Sequence, residues 1–95
     1  MSQYRKKPVV IDAFQMTVAA FYNDGAGGLG EWPKWAQEAC EAGDIIMHGP
    51  DNIAARIPTL EGMMDVTFND WVIRGVKGEL YPCKPDIFAA TYDPA

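Results

Sequence analysis

Histidine is nearly absent from this sequence, cysteine is scarce, and no apolar run is long. His48 is the one histidine, and Cys40 and Cys83 are the two cysteines. The cysteines do not form a CxxC pair, and none of the recurring zinc-ligand spacings joins them to His48. A metal site is therefore not expected, and both cysteines read as free thiols in a reducing compartment, with one Cys40–Cys83 disulfide as the alternative. No apolar segment approaches the roughly 20 residues that a transmembrane helix needs. The stretch Pro8-Val9-Val10-Ile11 is cut short by Asp12 and is followed by no small-residue cleavage pattern. No secretory leader is expected, and a cytoplasmic location is the default.

A basic stripe is missing as well. Thirteen acidic residues outweigh eight basic ones, giving a net charge of −5. The positive charges gather at Arg5, Lys6 and Lys7, and again at Arg74, Lys77 and Lys84. Direct nucleic-acid binding is not expected without a continuous cationic face. An acidic surface keeps a small domain soluble and suits a basic partner. The glycine-rich segment 23–30, Asn23-Asp24-Gly25-Ala26-Gly27-Gly28-Leu29-Gly30, matches the dinucleotide pattern GxGxxG only loosely. The chain is too short for the βαβ unit that should surround such a motif, so the segment reads as a flexible loop.

What is present is ordinary globular material: 95 residues, 48% hydrophobic and 22% charged, enough for one domain spanning 1–95. Residues 8–16 are β-rich and predict a buried first strand, with Val9, Ile11 and Ala13 on one face and Phe14 on the other. Trp32, Trp35, Ala36, Ala39 and Cys40 follow a helical stripe, with Pro33 at the start and Gly43 at the stop. One amphipathic helix over about 33–42 is predicted, its tryptophans packed on a sheet. From Asp44 onward short β segments alternate with turn residues, at Gly49–Asn52, Glu61–Gly62, Asn69–Asp70 and Gly75–Gly78. Lys84–Phe88 reads as a single helical turn, and Ala89–Tyr92 as strand or further helix. The fold class is α+β: a curled antiparallel sheet or partly open small barrel, with the helix packed on it.

No set of residues specifies a reaction. Cys83 sits between Pro82 and Lys84, whose charge would favour a thiolate, but no glycine elbow or orienting group accompanies it. Asp65, Asp70, Glu79 and Asp86 read as turn and cap residues rather than as an acid–base pair. Neither an enzyme nor a cofactor is expected. The binding case is more specific: Trp71, Arg74, Lys77, Tyr81, Lys84 and Asp86 place two aromatics, three cations and an acid in one short block. With the Gly75–Gly78 turn between them, Arg74 and Tyr81 are expected close together. Stacking rings and cationic donors suit a base or a phosphate-bearing ligand.

The same block carries a family resemblance. Tyr4-Arg5-Lys6-Lys7-Pro8-Val9-Val10-Ile11-Asp12-Ala13 resembles the opening of a widespread family of small phage and prophage proteins. Thr59-Leu60-Glu61-Gly62 and the run from Asp70 through Arg74, Gly78 and Tyr81 to Phe88 resemble that family's C-terminal block. The resemblance covers roughly half the chain and leaves out Thr17–Asn52. It implies a phage or prophage origin and action inside a bacterial host, and it carries over no catalytic residue. The expected function is a non-enzymatic binding protein active in counter-defence. Its partner would be a host immune protein such as a CRISPR effector, or it would sequester a nucleotide signal. The alternatives are a structural or assembly component of the phage particle, an oligomeric scaffold, or a small enzyme using Cys83. With three tryptophans, four tyrosines and four phenylalanines in so short a chain, self-association is compatible with each.

Overall fold

The computed structural model describes residues 2–3, 9–18, 32–47 and 53–93. The glycine-rich segment 23–30, the basic group Arg5–Lys7, His48 and the turn residues 49–52 lie outside the described residues. The described strands are β1 (Asp12–Gln15), β2 (Ile46–Met47), β3 (Ile53–Thr59), β4 (Gly62–Thr67), β5 (Trp71–Arg74) and β6 (Leu80–Cys83). The helices are α1 (Lys34–Glu41) and α2 (Pro85–Thr91). The strands form two antiparallel three-stranded sheets, ordered β1-β5-β6 and β2-β3-β4, that do not close into a barrel.

The first helix forms where its stripe predicts. Its stop is a Schellman arrangement: Gly43 takes φ +86°, and the Asp44 N–H donates to the Ala39 carbonyl at 2.8 Å. The helix buries Ala36 and, with Trp32 and Trp35 around Phe14, closes one face of the β1-β5-β6 sheet. The Phe14 ring centroid lies 4.9 Å from that of Trp32 and 5.8 Å from that of Trp35. Core packing of the tryptophans follows from the sequence stripe, and Ile45, Ile57 and Val66 extend the same core under the second sheet.

The first strand is shorter than expected. Only Asp12–Gln15 pairs with β5, and Val9 and Val10 are exposed. The buried side belongs to Phe14 and Met16 rather than to Val9 and Ile11. Among the described residues β1 has one neighbour, and the four residues of β5 match its four.

Turn chemistry sets the hairpins. Gly62 takes φ +109° after Leu60-Glu61, where the Thr59 hydroxyl donates to the Gly62 carbonyl at 2.7 Å and accepts from the Glu61 N–H at 3.2 Å. A bulge between Ile53 and Ala55 lets consecutive Ala54 and Ala55 both face the interior. Pro58 and Pro82 occupy strands without cost because β6 is a sheet edge and β2 pairs with β3 only as far as Arg56. The segment after Lys84 is a seven-residue helix, longer than the single turn expected, and it takes in Ala89–Thr91.

Candidate functional site

Strand β5 is covered on both faces, which positions the C-terminal block. Val72 and Ile73 are adjacent and both fully buried. Successive side chains point to opposite faces of a sheet, so one cover cannot bury both. Val72 joins the main core, whereas Ile73 shares the other face with Trp71 and its cross-strand neighbour Tyr81. Helix α2 closes that second face. Phe88 stacks on Trp71 with centroids 4.0 Å apart and planes 3° from parallel. One turn on, Tyr92 packs against Phe88 at 5.1 Å, its hydroxyl 3.5 Å from that of Tyr81. Burial, followed by the contact with Tyr92, pushes the Tyr81 hydroxyl up to about 12.

An apolar cleft of about 510 Å³ opens beside this stack. Val9, Val10, Ile11 and Ala13 line it on the β1 side, and Trp71, Phe88, Ala89 and Tyr92 on the α2 side, with Asp93 among its polar groups. Its chemistry is that of an aromatic wall facing branched aliphatics, suited to an apolar ligand or side chain.

The residues expected to form one binding surface are distributed over several environments. Trp71 is half-buried in the aromatic stack. Arg74 pairs with Leu80 rather than Tyr81 across the hairpin, so Arg74 and Tyr81 leave opposite faces. The Arg74 guanidinium donates to Asp12 Oδ2 at 2.6 Å and lies 5.0 Å from the Trp35 ring centroid. Lys77 is exposed in the β5–β6 turn, its backbone N–H donating to Glu79 Oε2 at 3.2 Å. Asp86 is exposed in the first turn of α2, where its charge complements the helix dipole.

Lys84 belongs to a different assembly. Its ammonium donates to Asp70 Oδ2 at 3.1 Å and to Thr67 Oγ1 at 3.0 Å. Asp70 is buried, and the same carboxylate oxygen accepts from the Thr67 N–H at 2.9 Å and from its hydroxyl at 3.0 Å. The turn holding Asp70 also bonds to the end of β1. The Met16 N–H donates to the Asp70 carbonyl, and the Asn69 N–H donates to the Met16 carbonyl at 2.7 Å. Asn69 takes φ +74°, a conformation that asparagine tolerates better than most residues. Asp70 is thus more than a turn residue: it ties β4, β5, the end of β1 and the approach to α2 into one joint.

Cys83 is not activated by its neighbour Lys84. Burial, with Asp70 and Asp86 nearby, raises its thiol above the ordinary value, and the neighbouring ammonium is engaged by Asp70. Among the described residues, no group of three or more His, Cys, Asp or Glu side chains could hold a metal ion. No described helix is long and apolar enough to cross a membrane.

Phe88, Tyr92 and Asp70 were not among the sequence candidates. The i, i+4 spacing of Phe88 and Tyr92, set against the Trp71-Val72-Ile73 run, is the signal that points to a helix covering a second sheet face. Comparison with family models, curated proteins and solved structures finds no match, so the case for function stands on this chain's own residues.

Proposed function

We propose that the chain is a non-enzymatic accessory binding protein of a phage or prophage that engages a host defence protein. The observation that carries the binding reading is the aromatic-walled cleft of about 510 Å³ between Val9–Ile11 and α2. Its lining offers apolar contact and stacking, the chemistry that anchors a partner's side chain. The phage setting rests on the resemblance of the opening and the C-terminal block to small phage proteins. Nucleotide sequestration has less support, because Arg74 and Lys84 are engaged by Asp12 and Asp70.

The test is capture from host lysate with the wild-type chain and with Val10→Asp. Val10 is exposed, so this change charges the cleft without opening the core. A defence protein retained by the wild type and lost with Val10→Asp supports the proposal. A calorimetric signal with cyclic nucleotides moves the reading to sequestration, and recovery of the chain from purified virions moves it to a particle component.

A further inference from the structure

A second cavity, sharing no lining residue with the aromatic cleft, lies between the tip of the β3–β4 hairpin and the β5–β6 turn. Its volume is about 670 Å³. Pro58, Leu60 and Met64 supply apolar lining, while Asp44, Glu61 and Glu79 supply three carboxylates. Among the described residues, no lysine, arginine or histidine lines it. Leu60 is fully exposed at the hairpin tip, with Met63 and Met64 of the same hairpin also exposed. Beside the cavity runs β4, among the described residues an edge of its sheet, with Gly62–Asp65 all exposed. Arg56 and Asp65 neutralise each other at 3.0 Å, and Lys77, exposed in the β5–β6 turn, does not line the cavity.

We propose that this cavity docks an extended basic polypeptide segment, in which an apolar side chain flanked by lysine or arginine enters beside Leu60. Two independent features select that occupant. The carboxylates around an apolar lining, in a chain of net charge −5, attract cations and repel anions. The exposed edge of β4 offers main-chain hydrogen bonds to an extended chain, which a small cation cannot use. A second copy of this chain fits less well, because symmetric association sets the same acids against each other. The proposal goes beyond the aromatic cleft and does not depend on the identity of the partner bound there.

Fluorescence anisotropy with the full chain and a labelled alternating Lys–Leu peptide tests it, against Glu–Leu and Lys–Ser peptides of equal length. The Lys–Leu peptide binds at least roughly ten-fold tighter than either control, and its affinity falls as salt rises from about 0.05 to about 0.5 M. The double charge reversal Asp44→Lys/Glu61→Lys weakens binding by at least roughly ten-fold, with circular dichroism and melting temperature unchanged. Leu60→Ser, at a site exposed in the fold, has the same direction of effect. Val10→Asp leaves peptide binding intact, which separates this site from the aromatic cleft. Equal affinity for the Lys–Leu and Glu–Leu peptides overturns the proposal, as does undiminished binding by the charge-reversed chain. Light scattering that shows a dimer dissociated by Leu60→Ser overturns it in favour of a second copy.

Discussion

Strand β5 and the tip of the β3–β4 hairpin are built from similar apolar residues, yet they meet opposite surroundings. In β5, Val72 and Ile73 are covered from both sides, by the main core and by the face that α2 closes. At the hairpin tip, Leu60 is uncovered and Met63 and Met64 are exposed. Consecutive buried residues in a strand mark a central layer, whereas consecutive exposed ones mark a one-sided ladder that has outrun its cover. The first region is committed to stability. The second leaves apolar surface uncovered.

The widest separation between them comes from truncating each. Ile73→Ala leaves a cavity in a fully buried position and costs about 2–5 kcal/mol in urea denaturation, whereas Leu60→Ala changes stability by less than about 0.5 kcal/mol. Equal costs at the two sites would erase the distinction. The joint between the sheets comes next. Asp70→Ala strands the Thr67 N–H and the Lys84 ammonium and costs about 1–3 kcal/mol. Lys84→Met, removing the mostly exposed partner, costs at most about 1 kcal/mol by the same measurement.

The smallest effect sharpens the covered side alone. The Tyr81 hydroxyl holds its proton more tightly in the fold than in the unfolded chain, where it ionises near 10. Its contribution is fully present below pH 10 and is lost as pH rises from 10 to about 12, because only the unfolded chain releases the proton there. Melting curves across that range therefore show a shallower loss of stability for Tyr81→Phe than for the wild type. Identical slopes would mean that α2 leaves Tyr81 open to solvent.

Much of this architecture is legible in the residues. The Trp32–Cys40 stripe between Pro33 and Gly43 specifies α1, and the glycine and asparagine positions mark the hairpin turns. Their limit is parity. The turn after Arg74 sets that residue against Leu80, and a one-residue difference in register sends Tyr81 to the other face. Sequence proximity of the two residues does not settle which pairing the turn selects. Nor does the Trp71-Val72-Ile73 run say what covers each face, since Phe88 contributes from a separate element. Asp70 is harder still, because one of its partners, Lys84, reaches back to it from fourteen positions away.

The pairing of β1 with β5 has a consequence for the order in which the structure comes into being. Asp12 and Arg74 are partners across 62 positions, whereas β3–β4 and β5–β6 close over short turns. Short loops close at little entropic cost, and distant contacts wait for the intervening chain to become compact. During synthesis β1 emerges long before its partner β5 exists. The aromatic cleft, which needs β1 on one side and α2 on the other, is complete only when the two ends of the described chain have come together.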